Sequence, residues 1–172
     1  MDYSFEDMSE SHRRPVIDIF NYFIRNTHAA YPEKVVDYRF FDLFLTMSRG
    51  YPALVIKTAP HQVIGFAFMR PYHFTDTFRR TAEITYFILP EHTHKGLGTA
   101  ILELFIQKAG QMAIDSLLAS VSSHNEVSLG FHLKNGFKKC GRFLRVGRKL
   151  GEDFDMVWLQ RQLSQPQVEG LD

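Results

Sequence analysis

Apolar residues recur at helical spacing through Pro15, Val16, Ile19, Phe20, Phe23 and Ile24. The spacing predicts a helix over residues 13–27, with Pro15 near its first turn, where a missing N–H costs little. A second stripe, Phe40, Phe41, Phe44, Leu45 and Met47, predicts a helix over residues 37–48 that stops at Gly50. The period then shortens. Residues 53–57 and 62–69 are β-branched and aromatic runs separated by Ala59-Pro60-His61, the pattern of an antiparallel hairpin. Residues 80–89 alternate in strand fashion and Pro90 closes them. Helical spacing returns over residues 96–112 through Leu97, Ala100, Ile101, Leu104 and Phe105. Residues 116–121 read as a strand, 127–135 as a short helix, and 137–145 with 155–159 as a terminal strand pair. From Ser164 onward there is little to bury, and the segment reads as a tail. The order is mixed α/β with a helix crossing between strands, and it contains no internal repeat.

Composition narrows the function classes. The chain has 172 residues, 45% of them hydrophobic and 23% charged, which suits one domain with an ample core. A net charge of +1 lacks the basic excess of proteins that track phosphate backbones, so no nucleic-acid partner is expected. The lone Cys140 forms no internal disulfide and favours a reducing, cytoplasmic setting. The acidic opening residues do not read as an export signal. The apolar runs fall far short of the roughly 18 residues that a membrane-spanning helix needs, so no membrane partner is expected either.

The chemistry concentrates between Glu83 and Ala100. Gly96 and Gly98 fall between a strand and an amphipathic helix, so backbone can approach a ligand closely. The first N–H groups of that helix have no internal partner, and an anion can accept them, with Lys95 and the Thr99 hydroxyl adding to the attraction. The segment lacks the glycine-lysine pattern of a P-loop and the third glycine of a dinucleotide fingerprint.

Five pieces in this order and spacing resemble the GNAT N-acetyltransferases, in the branch related to phosphinothricin and methionine-sulfoximine acetyltransferases. They are Thr81-Ala82-Glu83, the strand 85–90, the loop His94-Lys95-Gly96-Leu97-Gly98-Thr99, Asn125 with Ser128, and residues 132–137. The resemblance spans nearly the whole chain. It implies one N-acetyltransferase domain over residues 1–163, with a mostly antiparallel sheet splayed in its middle and flanked by helices. It implies acetyl-CoA as co-substrate, with its pyrophosphate on the backbone of His94, Lys95, Gly96, Leu97, Gly98 and Thr99. The pantetheine arm would pair with backbone groups of Tyr86, Phe87 and Ile88, and Asn125 would contact the same molecule. No metal is implied, and relatives are commonly homodimers. The acceptor would be a primary amine of a small molecule, such as an amino acid or an analogue. Thr93, Thr75 and Lys149-Leu150-Gly151 depart from the residues usual in that branch.

Glu83 reads either as a general base or as a rim residue of a solvated strand end. His132 stands where many relatives carry a proton-donating tyrosine. It reads either as the acid that protonates the departing thiolate or as a helix-surface residue supporting Asn125. His92 and His94 form a His-x-His pair without a third ligand placed by spacing. Cys140 reads as a small packing group or as a thiol activated by Lys139 and Arg142. Seven Lys or Arg and no acid lie between Lys134 and Lys149, a basic face that suits a solvated strand pair, a phosphorylated cofactor or RNA. No nucleophile elbow is visible, which favours direct transfer, with an oxyanion stabilised by an N–H near Phe87 or Ile88. Acceptor choice is assigned to the aromatic helix at Phe40–Phe44 and to residues 71–80. The rival class is an acyl-CoA-binding or partner-binding domain that has lost its chemistry.

Overall fold

The structure, a computed structural model, describes residues 3–58 and 62–163. Seven strands form one sheet among these residues: β1 (Tyr3–Asp7), β2 (Ala53–Thr58), β3 (Gln62–Pro71), β4 (Thr81–Ile88), β5 (Ser116–Ser122), β6 (Lys138–Lys149) and β7 (Glu152–Gln162). Their order is β1-β2-β3-β4-β5-β7-β6. The helices are α1 (Arg13–Asn26), α2 (Phe41–Met47), α3 (Leu97–Gln111) and α4 (Glu126–Lys134). The β4–β5 pair is parallel, with α3 as its crossover, and the other neighbours are antiparallel.

Each face of the sheet carries its own core. On one face α1 buries Val16, Ile17, Phe20 and Ile24 against Val55, Phe66, Phe68 and Phe87. The rings there interlock, with Phe20–Phe87 at 5.4 Å, Phe66–Phe87 at 5.1 Å and Phe44–Phe66 at 5.4 Å between centroids. On the other face α3 sets Ile101, Phe105 and Ala109 among Ala67, Met69, Ile84, Leu117 and Leu159. Full burial of each large side chain contributes roughly 1.5–3 kcal/mol, so the sheet is clamped from both sides. Helix α1 stops where Thr27 returns both its N–H (3.1 Å) and its hydroxyl (2.9 Å) to Phe23 O.

Three elements depart from the periodicity. The helix expected over 37–48 begins as a 3-10 turn at Tyr38–Phe40, and only Phe41–Met47 is α-helical. Asp37 fixes that start by accepting the Arg39 N–H at 2.8 Å. Strand β1 was not signalled, because as an edge strand it leaves most of its short length exposed. The terminal pair runs longer than expected, to a tight turn at Leu150 and Gly151, both at positive φ. The expected 59–61 loop and the tail from Ser164 lie outside the described residues, but β2 and β3 do pair antiparallel.

The arginines of the basic stretch on β6 find acidic partners across the strand pair. Arg142 pairs with Asp155 at 2.5 Å, and Arg145 and Arg148 reach Asp153 at 2.7 and 3.6 Å. Lys149 is buried altogether. No helix among the described residues is long and apolar enough to cross a membrane.

The sheet opens between β4 and β5. They pair only at Thr81–Ser116, Ala82–Leu117 and Glu83–Leu118, while β5 stays paired to β7 along its whole length. Beyond Glu83 the two halves diverge, each holding to its own neighbours.

Candidate active site

The opened seam leaves backbone groups of β4 unpaired on one side. Leu89 donates its N–H to Ile64 O (3.0 Å), whereas Arg80 O accepts from Ser116 N–H (3.2 Å). In an antiparallel pair, successive residues turn their backbone groups to opposite edges. Odd-numbered residues of β4 therefore face β3, and Ile84, Tyr86 and Ile88 face the gap. Of the three residues expected to pair with a pantetheine arm, Tyr86 and Ile88 offer backbone there. Phe87 does not, because its N–H and C=O serve β3 and its ring is in the core.

The chain leaves β4 through a 3-10 turn at Pro90–His92 and enters α3 by a tight turn. His94 has φ 58° and Gly96, the N-cap of α3, has φ 82°, a value glycine adopts without penalty. Lys95 is held back on Glu91 O at 2.8 Å. The first helical bond runs from Ala100 N–H to Gly96 O (3.0 Å), so the N–H groups of Leu97, Gly98 and Thr99 have no intrahelical acceptor. Three such groups at the positive end of a 15-residue helix suit a phosphate. Leu97 contributes backbone only, since its side chain anchors the helix start in the core. A Cβ on Gly98 would lie 3.0 Å from the Phe131 ring, so a side chain there would press on α4.

Glu83 sits at the crotch of the seam, its last β4–β5 pair. It is only 4% exposed, which removes the solvated-rim reading. Its Oε2 accepts from Arg70 Nη2 at 2.6 Å and its Oε1 from the Ser120 hydroxyl at 2.7 Å, the latter reaching across from the diverging part of β5. Arg70 Nε is buried without a hydrogen-bond partner in the described structure. Tyr31 donates its hydroxyl to Ser120 O (3.1 Å), and desolvation, with the Glu83 charge second, pushes that phenol up to about 12. Arg70, Ser120 and Tyr31 escape sequence reasoning because strand register and a loop bring them to Glu83.

His132 is 2% exposed, not a surface residue. Its Nδ1 lies 2.7 Å from Ser128 O, which can only accept, so Nδ1 carries the hydrogen. Nε2 then accepts from the Tyr86 hydroxyl at 2.8 Å, and both ring nitrogens are engaged. Burial pushes this imidazole below its ordinary 6.5. The unfolded chain therefore binds the proton more readily, so the contribution of His132 to stability is complete above about pH 6.5 and lost as pH falls toward the lowered folded value. Urea unfolding followed between about pH 7.5 and 5 should show this acid limb, and His132→Phe should flatten it. An unchanged slope in the variant would contradict the assignment.

Asn125 caps α4, its Oδ1 accepting the Ser128 N–H at 3.2 Å. His92 Nδ1 lies 3.4 Å from the Tyr3 hydroxyl, and no third donor joins the His92–His94 pair among the described residues. Cys140 is exposed on β6 rather than packed, its thiol 3.5 Å from Trp158 O. The aromatic helix proves structural: Phe41 and Phe44 are core residues and Phe40 stacks on Phe20 at 5.6 Å. Of the two segments assigned to acceptor choice, only the 71–80 loop presents aromatics outward, with Tyr72, Phe74 and Phe78 exposed.

Residues 16–137 match the Acetyltransferase (GNAT) family. The chain is 31% identical over 153 residues to L-methionine sulfoximine/L-methionine sulfone acetyltransferase of Pseudomonas aeruginosa, covering 86% of this chain and 87% of that protein. It is 30% identical over 152 residues to the L-amino acid N-acyltransferase MnaT of Escherichia coli, covering 87% and 88%. A GNAT superfamily phosphinothricin acetyltransferase from Sinorhizobium meliloti, solved in complex with AcCoA, superposes with a TM-score of 0.88 at 25% identity, over 95% of this chain and 90% of that one. The match spans well over half of the chain, and with these relatives it shows that the chain belongs to the GNAT acetyltransferase family.

Proposed function

We propose that the protein transfers an acetyl group from acetyl-CoA to the primary amine of an amino acid or a close analogue. The observation that carries this reading is the opened seam with Glu83 buried at its base, in a chain whose relatives act on such amines. The backbone of residues 94–99 would hold the pyrophosphate, Tyr86 and Ile88 the pantetheine, and the amide face of Asn125 not used in capping would meet the same arm. The thioester supplies an activated acetyl carbonyl.

The rest of the chemistry belongs to this chain. Glu83 accepts a proton from the incoming ammonium, since only a neutral amine has the lone pair to attack. Arg70 and Ser120 hold that carboxylate in place. The Ile88 N–H, turned to the gap, is the donor for the developing oxyanion. His132 orients the Tyr86 hydroxyl, because its own N–H is committed to Ser128 O and burial disfavours a second proton. Residues 71–80 border the acceptor side, and Thr75 there gives an acceptor preference distinct from that of the relatives.

A homodimer in the cytoplasm is the setting this reading expects. Exposed Phe143, Leu144, Val146 and Leu150 along the β6 edge give a second copy an apolar surface to cover.

The test is thiol release from acetyl-CoA against a panel of L-amino acids, methionine sulfoximine, phosphinothricin and short peptides. At least one amino-acid-type amine should be acetylated well above the enzyme-free rate. Tight acetyl-CoA binding with no acetylated product across the panel would favour the catalytically silent rival.

A further inference from the structure

Three donor-bearing side chains, distant in sequence, meet away from the phosphate turn. His28 lies in the loop after α1, His124 in the turn between β5 and α4, and Glu152 at the start of β7, with one ligand-type atom of each within 4.8 Å of the others. The two imidazoles are 4.6 Å apart between centroids, tilted by 41°. His28 Nε2 is 3.3 Å from Lys149 O, and His124 Nε2 is 3.0 Å from Asp153 O. A carbonyl only accepts, so in each ring Nε2 carries the hydrogen and Nδ1 keeps a bare lone pair. A metal-binding imidazole is held in this way, its remote N–H fixed on a carbonyl and its other nitrogen turned to the ion. The loop bearing His28 is itself pinned: the buried Lys149 ammonium donates to Thr27 O at 2.6 Å and to Ala30 O, on either side of the histidine.

We propose that His28, His124 and Glu152 form a binding site for a late first-row divalent cation, Zn²⁺ above all, with one coordination position left open. Two imidazole nitrogens and one carboxylate oxygen are the donor set that such ions take, whereas Mg²⁺ and Ca²⁺ prefer oxygen throughout. Zn²⁺ at about 2.0–2.1 Å from each donor holds its ligands roughly 3.4 Å apart. The donors here, within 4.8 Å of one another, must close by up to about 1.4 Å, which the exposed side chains of His124 and Glu152 permit. The site is linked to the side chains that support Glu83. His28 and Tyr31 both pack on Phe154, at 6.2 and 5.8 Å, and Tyr31 bonds to Ser120, which supports Glu83. An ion would tie the 27–31 loop, the β5–α4 turn and the β6–β7 hairpin together there. The site stands independently of the acetyl-transfer reading.

The experiment uses untagged, metal-stripped full-length protein, titrated with Zn²⁺ in a calorimeter and with Co²⁺ as an optical probe. One equivalent should bind at micromolar Kd or tighter, and Co²⁺ should develop the visible bands of a four-coordinate site. His28→Ala and His124→Ala should each weaken binding more than tenfold. Glu152→Gln on the exposed hairpin should weaken it less, and His92→Ala should leave it unchanged. X-ray absorption on the zinc-loaded wild type should show two imidazole shells, a readout that needs no variant to fold. Failure to bind at micromolar metal, full affinity in the His28→Ala and His124→Ala proteins, or an absorption spectrum without imidazole scattering would each overturn the proposal.

Discussion

Glu83→Gln is expected to lower acetyl-transfer turnover by about 10²–10⁴-fold, the range a positioned base contributes, with acetyl-CoA affinity nearly unchanged. The substitution keeps the size of the side chain. Its carbonyl oxygen can still accept from Arg70, and the Ser120 hydroxyl can rotate to accept from the new amide, so the support at 2.6 and 2.7 Å need not collapse. What disappears is basicity. The acidic limb of the kcat/KM–pH profile should move or vanish with it. Wild-type turnover and an unaltered profile in a folded Glu83→Gln protein would show that the amine arrives already neutral and that Glu83 braces the seam.

Gly96→Val should weaken acetyl-CoA binding by well over tenfold, more than about 1.4 kcal/mol. The cause is conformational, not steric. A Cβ at this position meets nothing within 4 Å, but φ is 82°, which a β-branched residue adopts only under strain. The turn would relax away from that value and carry the N–H groups of Leu97, Gly98 and Thr99 out of register with one another. Calorimetric titration with acetyl-CoA checks this, and equal affinity in a folded variant would remove the phosphate turn from the site. Gly98→Val would fail for another reason, since its side chain would strike Phe131 and disturb the α3–α4 contact.

The sequence made legible whatever depends on local period. The stripe Val16, Phe20, Phe23, Ile24 and the switch from strand to helix across Gly96 are both read from spacing alone, because each apolar face has a single sheet face to cover. Strand β1 has no such face, and so no signal. The Phe40–Phe44 stripe was visible as a helix but not as core, since periodicity gives a side without saying what lies against it. The charge excess on β6 is partly offset only when the strand pairing brings Asp153 and Asp155 to its arginines. The glycine turn was legible for the same reason as the helices: its residues are consecutive. Glu83 could be picked out, but Arg70 and Ser120 could not, because they meet it through pairing between strands. Of the two readings of His132 only the surface one falls to its burial, because the Tyr86 contact joins β4 to α4 across the fold.

The split seam also bears on how the molecule is made. Strands β1 to β4 all precede residue 89 and β5 to β7 all follow residue 115, so the two halves of the sheet are also the earlier and later halves of the chain. As synthesis proceeds from the N-terminus, β1 to β4 are complete while β5 has yet to emerge. During that interval the free edge of β4 is open along its whole length, available to any extended strand that meets it. In the finished protein only Thr81, Ala82 and Glu83 of that edge are covered by β5. The gap beyond Glu83 is thus the part of a nascent edge that β5 never closes.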